Sequence, residues 1–578
     1  MTDTLPPVET QRNRRRADLF AALVCAAFGW LLAFSPHLLW WPTLGEPVYI
    51  ADFDDLEYMS VCAEASFNHP ARLGDAAIEG GDRGMYPASQ FVPAIALTRA
   101  LGWGPERVDL VWRTWAGISL GIGFYLLIRR FVERPWVALA LTAALLSDSG
   151  MLTANPFWGQ ARTVLRIATG RGESLFDGFP KILTQYRLIT PGLSLWALLV
   201  HVWLLSQARA RPSAPRIALA GLGFGLLFYV YFYFWTAAGL ALVLALALDA
   251  GHRRVYFHVG WIGGLLGLPA LVSNYMITRE FSRDWMLRTD NFLPIARFSE
   301  LLLPRSAVVL AVVALTWAWF RRRDLLHLAC LFVAGLLLLN HQVLTGLQIQ
   351  NFHWTYVWGP CGSLLVVLLG AGALAPWLAE RPRARRLLIL ICLIQVATGC
   401  WLRVEEARRS SETRQILSAY VRYRDQRRTP NAPRFPDNAV LAGDPSYSGL
   451  AIALENVRPL EQYCTLFSPY ITTPELGDRQ ALNAVLTGVS RPDFIAEQER
   501  SLTTGWGPWQ RDPSLRADRL AALSLAYDLA AADPSPALAR FHVRVVARAD
   551  HSPPPGPGWT LAQDGPSWRL WERADDRP

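Results

Sequence analysis

The chain has 578 residues, of which 52% are hydrophobic, 12% aromatic and only 18% charged. So little charge, with apolar residues gathered into blocks long enough to cross a hydrocarbon core of roughly 30 Å, excludes a soluble globular protein. The net charge of +9 comes largely from short arginine clusters between the blocks. Such clusters set membrane topology and meet anionic lipid, so no nucleic-acid partner is expected.

Residues 1–17 read as a short tail carrying Arg12, Arg14, Arg15 and Arg16. The first apolar span, 18–40, is too long for a signal peptide and is followed by no small-x-small cleavage site, so it is expected to stay as a helix. Ten further spans are predicted at 108–128, 135–154, 188–207, 216–233, 234–250, 256–277, 305–320, 325–344, 355–378 and 386–402. The pair 216–233 and 234–250 requires the chain to turn back within Tyr231-Phe232-Tyr233-Phe234-Trp235; a single helix there would invert every later orientation.

Basic connections follow the even-numbered spans: Arg129-Arg130, Arg209 with Arg211, His252-Arg253-Arg254, Arg321-Arg322-Arg323, and Arg381 through Arg386. The positive-inside rule puts these and the N-terminal tail in the cytoplasm, and the long loops 42–107, 155–187, 278–304 and 345–354 outside. Beyond about 402 the sequence changes to a soluble outer region, 403–578. It holds a short strand at 439–442, a helix at 514–533, a strand at 541–546 and a hairpin from Trp559 to Trp571 around Asp564-Gly565. The fold class is therefore a polytopic α-helical membrane protein of about eleven transmembrane helices with a small α/β C-terminal domain. It is expected in the plasma (inner) membrane, with its N-terminus cytoplasmic and its last domain periplasmic.

Seven cysteines form no CxxC pair; Cys62 and Cys464 both fall in outer regions, where a disulfide is possible. The span interiors read as nearly free of charge and show no internal repeat.

Three constellations carry chemistry. Asp52-Phe53-Asp54-Asp55-Leu56-Glu57-Tyr58 opens the first outer loop. Carboxylates at a membrane edge are costly and mark function. One of them can take a proton from an acceptor while Asp52, Glu57 and Tyr58 orient the substrate, and repulsion among the acids lifts a pKa toward a useful range. The plainer reading is an acidic turn capping a helix that begins near Leu56. No cofactor is required, although the Asp52-x-Asp54 spacing allows a divalent metal.

The second constellation is the set of outer arginines. Arg187 precedes a span at headgroup level, where a guanidinium grips phosphate or simply snorkels. Arg162 and Arg166 share one helix face and serve either as phosphate ligands or as surface anchors. The third runs from Asn340 to Trp354, with Gln342, Thr345, Gln350, His353 and Trp354 suited to a sugar; the alternative is a hydrogen-bonded re-entrant turn with an aromatic belt. No Walker loop, GxSxG elbow or HExxH motif is present.

On these residues the chain resembles the GT-C superfamily of integral-membrane glycosyltransferases, similar to protein mannosyltransferase and aminoarabinose transferase-like members. The match lies in the short cytoplasmic tail, the acids of the first outer loop, about eleven helices over residues 1–400, and the outer C-terminal domain. Arg187-x-x-Thr190-Pro191 and Thr345-Gly346…His353-Trp354 also look like segments of bacterial members. A WWDYG motif of the oligosaccharyltransferase branch is absent.

The resemblance implies a polyprenyl-phosphate or polyprenyl-diphosphate sugar donor, a glycan, lipid or protein acceptor at the periplasmic face, and inversion. It also implies an acidic base, with Asp54 first because it lies four residues before Tyr58, and Asp55 second. The competing classes are a lipid-linked sugar flippase and a non-catalytic polytopic assembly protein of the cell envelope; an O-antigen ligase would keep its key residues in a late outer loop.

Overall fold

The computed structural model describes residues 8–69, 73–78, 91–148, 158–169, 194–289, 291–298, 301–430, 432–505, 507–549 and 552–574. Its first part is a helical bundle. In chain order it comprises α1 (Val8–Leu44), α2 (Phe53–Phe67), α3 (Val92–Ala100), α4 (Arg107–Phe131), α5 (Pro135–Ser147), α6 (Trp158–Ala168), α7 (Leu195–Ala210) and α8 (Ala214–Val230). It continues with α9 (Phe232–Leu248), α10 (Arg253–Thr278), α11 (Arg283–Arg288), α12 (Arg305–Phe320), α13 (Leu326–Leu338), α14 (Gln342–Thr345), α15 (Thr355–Glu380) and α16 (Pro382–Arg409).

Helices occupy most of the described part of each expected span, and the span at 325–344 is broken by a turn between Leu338 and Gln342. Among the described residues five helices are long and apolar enough to cross a membrane: Asn13–Leu44, Arg107–Phe131, Ala250–Thr278, Thr355–Leu374 and Pro382–Arg409. Several present apolar side chains outward, among them Leu23, Trp261, Leu265, Leu390 and Ile394, as a lipid-facing surface requires.

The turn at Tyr231 is real. Tyr231 is extended (φ −160°, ψ 126°) between α8 and α9, Phe228 stacks on Trp235 at 4.6 Å, and Phe224 lies against Gly239. Contacts symmetrical about residues 231–232 identify an antiparallel helix pair. The basic connections gather at one end of the bundle. There Arg129 pairs with Asp18 at 2.6 Å, Arg209 with Asp249 at 2.9 Å and Arg322 with Asp324 at 3.0 Å. The Arg322 guanidinium also sits 5.3 Å over Phe131, at the end of α4.

Close approach of α1 and α4 depends on glycine. A Cβ at Gly121 would collide with the carbonyl of Cys25, and one at Gly117 with Gly29 and Ala33. The Gly117-x-x-x-Gly121 spacing thus lets two long helices touch backbone to backbone, as small residues do in membranes.

The second part is a C-terminal α/β domain, the region read as soluble from the sequence. It contains α17 (Ser411–Arg427), α18 (Pro445–Leu454), α19 (Tyr463–Phe467), α20 (Thr473–Thr487), α21 (Arg491–Thr504), α22 (Pro513–Ala532) and α23 (Ser535–Phe541). An antiparallel pair of β1 (Asn291–Pro294) and β2 (Leu347–Ile349) joins two loops of the bundle. The domain's own strands are β3 (Ala439–Gly443), β4 (Val457–Pro459), β5 (Val543–Ala549), β6 (Trp559–Asp564) and β7 (Trp568–Arg573). They form one sheet in the order β4-β3-β5-β7-β6, with β3 parallel to both β4 and β5 and the last two pairings antiparallel. Cys62 and Cys464 are both free.

Bundle and domain are joined by buried polar contacts. Arg288 of α11 donates to the carbonyls of Leu466 (2.9 Å), Ile471 (2.5 Å) and Ser468 (2.5 Å). Asp75, after α2, accepts from Ala77 N at 2.8 Å and from Ser468 Oγ at 2.5 Å. Arg288→Met strands three buried carbonyls at about 1–3 kcal/mol each. We expect faster proteolysis between the two parts in this variant; a cleavage pattern identical to wild type would show that Arg288 does not hold the junction.

Candidate functional site

The first acidic constellation forms the start of a helix. Asp52 Oδ1 accepts from Asp55 N at 2.9 Å and so caps α2, with Asp54 and Asp55 in the first turn, where the helix dipole favours negative charge. The capping role and a catalytic role are compatible, because they use different carboxylates. Asp55 is buried: its Oδ2 accepts from Ala51 N at 3.0 Å and faces Arg113 Nη2 at 3.4 Å. Arg113 gives its Nε to Asp109 Oδ1 at 2.6 Å, and Asp109 Oδ2 meets His37 Nε2 at 2.9 Å.

A buried charged chain His37–Asp109–Arg113–Asp55 therefore fixes α2 to the tightly packed α1–α4 pair. The expectation of charge-free spans is corrected here. Asp109 and Arg113 lie four residues apart in the first turns of α4 and His37 lies near the end of α1, all three buried. Their signal was present in the sequence as an i, i+4 pair of opposite charges inside an apolar block.

Asp54 is different: it is half-buried, immediately before the anchored Asp55. Glu57 is buried and lines a small cavity with Gly449, Gln462 and Cys464 at the junction with α18. Leu56 Cδ1 would meet a Cβ on Gly449 at 3.4 Å, so α2 rests on α18 as closely as it rests on the bundle. Tyr58 is half-buried against the core. Among the described residues no three His, Cys, Asp or Glu side chains converge as metal ligands. A cation at Asp52 and Asp54 would need further ligands, for instance from a substrate phosphate.

Burial first, then the neighbouring Asp52 carboxylate, push the Asp55 carboxyl up to about 7, against the pull of Arg113. A carboxyl raised on folding stabilises the protein fully below its unfolded value near 3.8, and that contribution is lost as pH rises through about 7. Asp55→Asn is therefore expected to gain thermal stability relative to wild type between pH 5 and pH 8. A difference in melting temperature that does not change across this range would refute the assignment.

Arg162 and Arg166 are exposed on α6. That helix packs on α16 through Gln160, whose Nε2 donates to Gln395 O at 2.9 Å and Thr398 Oγ1 at 2.5 Å. Val164 and Ile167 cover Leu402. Among the described residues neither guanidinium has a hydrogen-bond or ion-pair partner, and none links them to the acidic cluster. Arg187 lies outside the described residues, as does the stretch 79–90.

The third constellation divides in two. Thr345 Oγ1 accepts from Leu347 N at 3.1 Å, and with Gly346 (φ 67°) it shapes the turn into β2. Gln350 (φ 33°) gives Nε2 to Thr289 O at 3.0 Å, and Gln348 Oε1 accepts from Arg511 Nη2 at 3.0 Å. These polar groups tie the loops around Thr289 and Gln350 to each other and to the C-terminal domain.

His353 and Trp354 belong to an aromatic cluster. His353 stacks on Tyr233 at 4.7 Å and bonds the Tyr231 hydroxyl. Trp354 donates Nε1 to Thr236 Oγ1 at 3.1 Å and packs on His341 at 4.7 Å. Gln342 beside them is fully buried, and both its amide atoms lack a hydrogen-bond partner.

No family model matches the chain, and no curated protein sequence does. Among solved structures the chain is similar to the crystal structure of ArnT from Cupriavidus metallidurans bound to undecaprenyl phosphate. Identity is 11% over 95% of this chain and 97% of that one, with a TM-score of 0.46.

Proposed function

We propose that the chain is a membrane glycosyltransferase of the GT-C type. It would move a sugar from a polyprenyl-phosphate-linked donor to an acceptor at the membrane face that carries the soluble domain. The observation that carries this reading is the placement of α2. An acid-bearing helix is clamped between the buried charged chain of α1 and α4 on one side and α18 on the other. Asp55 is locked and Asp54 stands at the edge.

Asp54 is the base in this scheme. It takes the proton of an acceptor hydroxyl or amine as that atom attacks the anomeric carbon. The bond from carbon to phosphate oxygen breaks with inversion, and the lipid phosphate leaves with the electron pair. Arg187 and other arginines of the same loops neutralise that charge, which is the larger stabilising effect in such a step. Asp55, Arg113, Asp109 and His37 touch no reacting atom and act as positioning residues. Gathering of the basic connections at the opposite end supports a cytoplasmic side there and a periplasmic site here.

The direct test is mass spectrometry of lipids that co-purify with the full-length protein, followed by single-turnover transfer from the lipid identified. An isoprenoid phosphate among them, consumed on addition of acceptor, is the expected result. An isoprenoid lipid that is retained but never cleaved would favour the flippase reading, and an absence of isoprenoids would sink both.

A further inference from the structure

The soluble domain contains a cleft of about 580 Å³ at the start of its parallel strands, lined on one side by Ala77 from the segment that follows α2. That volume falls within the range of sites for small organic ligands. Four arginines line it, Arg458, Arg479, Arg540 and Arg544, against two carboxylates, Asp437 and Glu475.

Three of the four arginines are held by the fold. Arg479 gives Nε to Glu475 at 2.9 Å and lies 4.9 Å from the centre of the Phe541 ring. Arg540 lies 4.8 Å from the same ring and gives Nη1 to Asp478 at 2.7 Å. The left-handed His542 (φ 51°) then turns the chain from α23 into β5, so that Arg540 and Arg544 flank the mouth. Arg540 keeps its Nε and Nη2, and Arg544 its whole guanidinium, without a hydrogen-bond partner among the described residues. Arg458 is nearly buried and gives Nη2 to Asn438 Oδ1 at 3.0 Å.

Guanidinium forks preorganised in this way match phosphate oxygens bidentately. A cleft that keeps one such fork, Arg540, and the uncommitted guanidinium of Arg544 at its mouth, with more cationic than anionic lining, is suited to a multiply charged anion. We propose that this cleft binds a phosphate ester, as a site separate from the acids of α2. Asn438 and Arg458 also line the crevice beside Ser60, Glu64 and Asn68 on the far end of α2. Occupancy of the cleft therefore bears on the helix that carries Asp54, about 20 Å along its axis from the first turn.

The test uses the full chain in neutral detergent, titrated calorimetrically with glucose 6-phosphate and with inorganic pyrophosphate. Saturable binding is expected, weakened at least about tenfold by Arg544→Gln and by Arg540→Gln. Arg491→Gln, which breaks the exposed Arg491–Asp528 pair elsewhere in the domain, should leave binding unchanged. Reconstitution in nanodiscs identifies the source. Competition by phosphatidic acid but not phosphatidylcholine supports a lipid headgroup ligand, and undiminished binding in phosphatidic acid supports a soluble ester. No binding of either probe, equal binding of malonate, or an Arg544→Gln titration that matches wild type would overturn the proposal.

Discussion

Asp54→Asn is expected to lower the rate of sugar transfer by about 10² to 10⁴-fold, the usual contribution of a general base, while folded protein and donor binding persist. The amide keeps the shape and the helix-start position but cannot take a proton. Asp55→Asn should behave differently. It retains an acceptor for Ala51 N and loses only charge next to Arg113, so the main change is in the pH profile. Wild-type kcat/KM is expected to change through about pH 7, where Asp55 ionises; the Asn variant should lose that limb and keep a measurable rate. If Asp54→Asn turns over normally while Asp55→Asn is dead, the two roles are exchanged; if both turn over normally, the transferase reading fails.

The second large effect is on stability. Arg113→Met leaves Asp109 and Asp55 buried without their shared cation, and removing one partner of a buried ion pair costs about 3–5 kcal/mol. Much of a domain's net stability is of that size. The single variant should therefore be recovered in low yield or melt far below wild type. Adding Asp109→Leu removes one of the stranded charges and should restore part of the loss. A double variant no more stable than Arg113→Met would show that the energy of the chain resides elsewhere, in Asp55 alone or in the packing of the Arg113 guanidinium over the Tyr49 ring, 5.8 Å from its centre. Transfer by any surviving Arg113→Met protein should fall through kcat rather than KM, because the arginine holds α2 and touches no substrate.

Periodicity and flanking charge made the bundle legible. The apolar blocks are mostly helical where they are described, and even the doubtful break near residue 231 occurs because Tyr231 leaves helical geometry while Phe228 and Trp235 stack across the turn. In the soluble region the strand at Ala439, the helix from Pro513 and the hairpin at Asp564-Gly565 were readable from alternation and turn residues. The sheet order was not, since β3 pairs with β5 across about a hundred residues and no local signal encodes that partner.

The acids of α2 were found because charge beside lipid is conspicuous. His37, Asp109 and Arg113 were missed because, once paired and buried, they lie within blocks whose average is apolar. Gln348, Gln350 and Thr345 show the opposite case. Their polarity is conspicuous, and the bonds observed serve loop geometry, while His353 and Trp354 lie in an aromatic cluster beside the unsatisfied amide of Gln342.

The position of β5 and β7 in the middle of the sheet has a consequence for biosynthesis. A ribosome that has released residues up to 500 has already delivered every membrane helix, α2 and α18, but only two of the five strands. The platform beneath the acidic helix is thus completed by residues 543–573, long after the bilayer segments are in place. Nascent chains would then insert in an inert form and gain activity only when the closing strands arrive. Arresting synthesis near residue 535 and assaying the tethered chains would show whether this delay protects the donor lipid from premature use.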